Sequence, residues 1–320
     1  MTEAFLAYLR DVRRYSPRTQ ASYRDVLEDF AAFCEGDVVS SLTPSLLRSY
    51  EADLMQRGLG ARTINQHISA LSSFCRFLMK EGVIGSNPAR GVKRPKMARR
   101  LPEFYREEVL SRYLEDSAHS AGEDELLLLE SYGSPTSDPG AVSLYRRRLS
   151  RLMISLLYGA GIRRAELIGL QRKSFDAGRS VLHVRGKGDK MREIPLVSSL
   201  CHEICLYLRA VVSVCGGSPC AEDPLLVTEK GRGLYPAYVD RVVKAELESA
   251  GITGKKSPHV LRHSLATSLL DEGGDLNAIK EMLGHSSLAA TQVYTHNSVQ
   301  RLKKVYNNAH PRAKNGGKYD

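Results

Sequence analysis

Ser257-Pro258-His259-Val260-Leu261-Arg262-His263 opens an apolar run that stops near Gly273-Gly274, and Leu283-Gly284-His285 follows, with Tyr294-Thr295-His296 nine positions further on. Ser257 is a natural helix N-cap, and Pro258 suits the first helical position, where its missing N–H would have no partner anyway. Leu261, Leu265 and Leu269 recur at helical spacing and point to a core, while His259 and Arg262, three apart, share another face. A second helix is expected from just after Asp275 to Gly284, burying Leu276, Ile279 and Leu283 and leaving His285 at the exit. Ser286 or Ser287 would cap a third, short helix carrying Tyr294. A single histidine or tyrosine among helices is ordinarily a packed or solvated residue. What carries information is the set: two histidines, an arginine and a tyrosine on three linked elements.

Upstream, Leu157-Tyr158-Gly159-Ala160-Gly161-Ile162-Arg163-Arg164-Ala165-Glu166-Leu167 ends one helix at Gly161 and begins another at Arg163, with Leu167, Ile168 and Leu170 inside. Glu166 is placed to hold the Arg163 guanidinium by a charge-assisted hydrogen bond, and Arg164 reads as a surface residue. The glycines here do not make a nucleotide loop: none stands three positions after Gly161, and no Gly-Lys-Ser/Thr occurs. Residues 180–185 and 191–196 read as strands around Gly186-Lys187-Gly188-Asp189-Lys190, a basic hairpin tip. His202 to Val214 and Tyr238 to Leu247 add helices.

Towards the start, helical segments break at Ser16-Pro17, Thr43-Pro44 opens another through Met55, and Gly58 to Gly60 separates it from a fourth beginning at Arg62-Thr63. Tyr23, Val26, Leu27, Phe30 and Phe33 form one apolar stripe, and Ile64, Ile68, Leu71 and Phe74 another. Arg13, Arg14, Arg18, Arg24, Arg57, Arg62, Arg76 and Lys80 line the polar faces. The stretch from Asn87 to Pro102 is rich in proline and basic residues and poor in apolar ones, the composition of a linker. Residues 121–139, acidic and rich in turn formers, read as a loop.

The chain has 320 residues and a net charge of +10, enough length for two ordinary domains and a balance that suits a polyanionic partner. No apolar run approaches bilayer length and the start lacks a basic region followed by an apolar core, so a soluble, cytoplasmic protein with no membrane partner is expected. Six cysteines without a Cys-x-x-Cys pair fit a reducing compartment; Cys201, Cys205, Cys215 and Cys220 cluster near His202 but lack structural-zinc spacing. No metal and no cofactor is expected.

His259-x-x-Arg262, Leu283-Gly284-His285 and Tyr294 resemble the C-terminal signature of the tyrosine site-specific recombinases, and Thr291 to His296 with Ala309-His310-Pro311-Arg312 resemble its Xer branch, on the XerC-like side. Leu157 to Leu167 resembles the family's first arginine motif, Lys187 matches its hairpin lysine, and Ser16-Pro17-Arg18-Thr19 with Tyr23, together with Thr63-Ile64-Asn65, resembles its core-binding domain. The resemblance implies a fold that is mainly α with a small antiparallel β-sheet. It implies a helical core-binding (SAM-like) domain at 1–92, a basic linker at 93–103 and an α/β catalytic domain at 104–320 with an acidic insertion at about 117–143, the two domains forming a C-shaped clamp on DNA.

It further implies Arg163, Lys187, His259, Arg262 and His285 as catalytic residues, with Tyr294 as the nucleophile that becomes joined to a DNA 3′ phosphate. The chemistry is coherent. Attack on a phosphodiester builds negative charge on the non-bridging oxygens, which two guanidiniums can clamp, and no carboxylate cluster suggests a two-metal site instead. The partners implied are a double-stranded DNA recombination site and a tetramer assembled on two such sites through the terminal helix with Val299, Leu302, Val305 and Tyr306. Whether a second related recombinase completes the tetramer, and whether a septal DNA translocase activates it, stays open, as does the choice between resolving chromosome dimers and integrating a mobile element. A type IB topoisomerase shares the catalytic logic, and a DNA-binding accessory protein is the non-enzymatic alternative.

Overall fold

The computed structural model describes residues 1–34, 37–96, 105, 109–110, 112–115, 122–186, 189–216, 220–271, 273 and 275–284. The chain divides into two compact units, Met1–Leu101 and Pro102–Asp320.

Hydroxyl and proline residues start two of the four α-helices of the first unit. Helix α1 (Thr2–Ala7) runs into a π-helical turn (Tyr8–Val12), α2 spans Pro17–Cys34, α3 Pro44–Gln56 and α4 Ala61–Lys80. The Ser16 hydroxyl accepts from the Thr19 amide at 3.3 Å, and Thr43 Oγ1 accepts from Leu46 N at 3.2 Å, each satisfying an amide the helix leaves free. The two apolar stripes then meet. Val26, Leu27, Phe30, Leu47, Tyr50, Ile64, Ile68, Leu71 and Phe74 are buried together, with Phe5 and Phe74 at 5.2 Å and Phe30 and Tyr50 at 5.0 Å between ring centroids.

The run expected as linker from Asn87 begins differently. Pro88–Gly91 is a 3₁₀ turn whose Ala89, with Val92 beyond it, is buried in this core, and Asn87 donates to the Ser72 carbonyl at 3.2 Å. Two apolar residues in an otherwise basic run are enough to dock its first turn.

In the second unit α5 spans Glu123–Ser131, α6 Pro139–Gly159, α7 Arg164–Ile168, α8 Ser198–Cys215, α9 Pro236–Ser249, α10 Pro258–Asp271 and α11 Leu276–Leu283. Strands β1 (Phe175–Asp176), β2 (Val181–Arg185) and β3 (Met191–Pro195) form an antiparallel sheet in that order, with Val184 opposite Arg192 and Arg185 opposite Met191. Helix α6 is buried on every side from Leu149 to Tyr158, Arg151 included, and sits at the centre, packed by α8, α9 and α10.

Three further expectations change. The acidic stretch read as a loop contains α5, because Leu126 and Leu129, three apart, bury while Glu123, Asp124 and Glu125 in the first turn complement the helix dipole. Leu276 is 48% exposed: the register of α11 turns Ile279, Met282 and Leu283 inward instead. Helix α8, with mean hydropathy 1.3 over 18 residues, is long and apolar enough to cross a bilayer by length and composition, contrary to the expectation that no run approaches this. Half of it is buried here, with Leu200, Ile204, Tyr207, Ala210 and Val214 in the core and Glu203 bound by Arg151 and Ser155, the pattern of a core helix.

Candidate active site

Gly161 leaves α6 with φ +58°, and a Cβ there would stand 2.7 Å from both Leu265 Cδ2 and Leu283 Cδ2. Only glycine lets the chain turn this close to α10 and α11. The turn delivers Arg163 to the N-cap of α7. Its amide donates to Glu166 Oε2 at 2.8 Å and its Nη1 to Glu166 Oε1 at 2.7 Å, the pairing expected from their spacing. Arg163 Nη2 donates to the Gly284 carbonyl at 2.6 Å.

Arg262 comes from α10. It was expected on a partly polar face, yet it is only 6% exposed: Nη1 donates to the Gly161 carbonyl and Nη2 to the Leu283 carbonyl. The reason is the end of α11. Its last carbonyls have no partner within the helix and carry the negative end of the dipole, so two guanidiniums are drawn to adjacent peptide groups, Leu283 and Gly284. Gly284 adopts φ +63°, and a Cβ on it would lie 3.2 Å from Arg192 Nη1 and 3.4 Å from Arg163 Nη1. Ser257 precedes α10, but its Oγ is buried without a hydrogen-bond partner, so the helix starts on the Ser257 carbonyl and Pro258 rather than on a side-chain cap.

Electrostatics follow from this packing. Burial lowers the Arg262 guanidinium to about 10, and nearby Arg163 pushes the same way; it is still cationic at neutral pH. Burial works against ionising Glu166, but hydrogen bonds from Arg192 and from Arg163 outweigh it and hold the carboxyl at about 2. His259, exposed on the first turn of α10, is held below the usual imidazole range by partial desolvation and then by Arg164, Lys255 and Arg262. At neutral pH it is therefore chiefly uncharged and able to accept a proton. Arg164 is paired with Asp240 of α9 rather than free on the surface.

The structure thus joins Arg163 and Arg262 at one point and places His259 one turn from Arg262. Lys187, His285 and Tyr294 lie outside the described residues, as does the short helix expected to carry Tyr294; Gly186, before Lys187, and Gly284, before His285, both border the cluster. Sequence reasoning missed Arg192. It sits on β3, 8% exposed, donating Nη1 and Nη2 to the two Glu166 oxygens at 3.0 and 2.7 Å and Nε to the Met282 carbonyl at 2.9 Å. The signal was present: Arg192 and Ile194 share the inward face of a strand at period two, and a charge at an inward position announces a buried partner. Among the described residues no group of three or more His, Cys, Asp or Glu could hold a metal ion.

Residues 141–301 match the Phage integrase family, and residues 2–82 match the phage integrase N-terminal SAM-like domain. The chain belongs to the phage integrase family. As a member of it, the chain is a tyrosine recombinase, and its relatives bear this out: it is 33% identical to the tyrosine recombinase XerC of Chlorobaculum tepidum over 97% of this chain and 94% of that one. To the XerC of Azotobacter vinelandii it is 35% identical, over 98% and 96%. Among solved structures, the XerH site-specific recombinase bound to palindromic difH substrate aligns with TM-score 0.61 and 22% identity, over 95% of this chain and 83% of that one. The Tn1549 transposon integrase in complex with circular intermediate DNA aligns with TM-score 0.62 and 18% identity, over 93% and 97%. These likenesses establish the fold of a tyrosine recombinase: mostly helical, with one small antiparallel sheet.

Proposed function

We propose that this tyrosine recombinase cuts and rejoins DNA at a specific site through a 3′-phosphotyrosyl intermediate on Tyr294. The observation that supports this best is the meeting of Arg163 and Arg262 at the successive carbonyls of Gly284 and Leu283, immediately before His285. Two forked cations at one point suit a single phosphate.

In the proposed reaction the Tyr294 oxygen bonds to phosphorus, giving up its proton to a histidine of the site, for which uncharged His259 is suited. The bond from phosphorus to the 5′ oxygen breaks, and Lys187 protonates that oxygen as it leaves. Arg163 and Arg262 offset the charge on the non-bridging oxygens as the trigonal-bipyramidal state forms. One phosphate ester replaces another, so the reverse attack by a 5′ hydroxyl from a second duplex reseals the strand. In this reading the first unit grips the duplex with the exposed Arg18, Arg24, Arg62, Arg76 and Lys80, whereas Arg57 is engaged by Asp29 and Asp53. Residues 1–92 form the core-binding domain, 93–103 a basic linker and 104–320 the catalytic domain; a tetramer on two sites, resolution of chromosome dimers before division and a cytoplasmic, nucleoid-associated location belong to the same proposal, supported by the XerC relatives.

The test is covalent trapping on a library of nicked duplexes with randomised site sequence. The full chain is expected to yield a denaturation-resistant protein–DNA adduct on a subset of sequences and Tyr294→Phe none. An adduct that survives in Tyr294→Phe, or none with the unaltered chain, overturns the proposal.

A further inference from the structure

A carboxylate that holds an arginine in place also cancels its charge. Glu166 stands 2.7 Å from Arg163 Nη1, and a simple pair would leave the site with one effective cation, Arg262, for a phosphate whose charge grows in the transition state. The cluster does not stop at a pair. Arg192 covers both Glu166 oxygens from the buried side, while the Arg163 side chain keeps about a third of its surface open (32%). Three guanidiniums against one carboxylate leave a surplus of two positive charges.

The Arg192 guanidinium borders three of the segments that carry predicted catalytic residues, those of Arg163, Lys187 and His285. A Cβ on Gly186, the residue before Lys187, would lie 3.4 Å from Arg192 Nη1 and 3.8 Å from Glu166 Oε1. Its Nε holds the Met282 carbonyl in the last turn of α11, three residues before His285. Arg192 itself stands opposite Val184 in the β2–β3 ladder, so the sheet sets its position.

We propose that Arg192 is a positioning residue of this recombinase: by neutralising Glu166 from behind, it leaves Arg163 aligned by the carboxylate and still available as a full positive charge to the scissile phosphate. This deepens the recombinase reading and rests on it. A lysine at this position keeps the charge but not the fork, whereas methionine keeps the approximate length and neither.

Single-turnover cleavage on a trapped, nicked duplex, with either an ordinary phosphodiester or a methylphosphonate at the scissile position, separates charge balance from packing. The methylphosphonate has a methyl group in place of one charged oxygen and so demands less positive charge. Arg192→Met is expected to slow cleavage of the phosphodiester about 10–100-fold, the range for a residue acting through another, and that of the methylphosphonate several-fold less. Arg192→Lys is expected to recover much of the phosphodiester rate, with DNA affinity unchanged in both variants. Equal losses on the two substrates, or a phosphodiester rate like that of the unaltered chain, overturn the inference. Absence of any adduct with the unaltered chain on either substrate would instead sink the recombinase reading from which it starts.

Discussion

The two units bury different things. In the first, the buried polar residues among those described are Ser72 and Asn87, and the rest of the core is aliphatic and aromatic apart from Cys75. In the second, Arg148, Arg151, Glu166, Arg192, Glu203 and Arg262 are all buried, the last beneath two backbone carbonyls. Burying a charge is costly unless it is paired and hydrogen-bonded, and apolar residues of similar volume commonly serve stability as well. A unit that only has to present a surface to a partner can do without interior ions; one that must aim cations at a phosphate cannot. On the proposed function, the difference marks the unit that carries the chemistry.

The contrast can be broken or sharpened by experiment. The largest effect is expected in the apolar unit: Phe74→Ala removes a fully buried ring packed on Phe5, and should lower hydrogen-exchange protection of α1, α2 and α4 by about 3–5 kcal/mol. The loss should be the same at pH 7 and pH 4 and should spare α6 and α8. A pH-dependent loss, or one shared by both units, would remove the distinction.

In the ionic unit acid is the probe. Glu166 is held at about 2 against an ordinary 4.5, so the unfolded chain binds the proton more readily and the contribution is present above about pH 4.5, then lost as pH falls towards 2. The total is on the order of 3 kcal/mol and should vanish from the pH dependence in Glu166→Gln, measured by denaturant melts of the full chain.

The smallest effect compares two left-handed glycines. Gly58, in the first unit, has φ +78° and open space around it, so Gly58→Ala should cost about 1 kcal/mol from backbone strain alone. Gly284→Ala adds a contact with Arg192 Nη1 to the strain at φ +63°, and should cost about 2 kcal/mol and also slow covalent adduct formation. Equal stability losses with unchanged adduct formation would mean that the guanidiniums yield freely and that α11 is not held by them.

Much of the fold could be read from spacing. The stripe through Val26, Leu27 and Phe30, the starts at Ser16-Pro17 and Thr43-Pro44 and the stop at Gly161 all depend on neighbours within a turn, and all are where they were expected. The same holds for Arg163 and Glu166, three apart in the first turn of α7. What could not be read depends on distant residues. Helix α5 was hidden because its charges resemble a solvated loop until Leu126 and Leu129 find a core. Leu276 was assigned to the interior because period alone does not say which side of a short helix meets the protein.

Local order along the chain therefore determined by itself the helical character, most of the helix boundaries, the two strands flanking residues 186–190 and the membership of the motifs in one family. Only the tertiary structure decided that Arg163 and Arg262 meet at the carbonyls closing α11, and that Arg192 stands behind Glu166. The physical reason is range. Propensity, capping and periodicity act over three or four residues, whereas the field at a phosphate is set by charges that are 29 and 99 positions from Arg163 in sequence and a few ångströms apart in space.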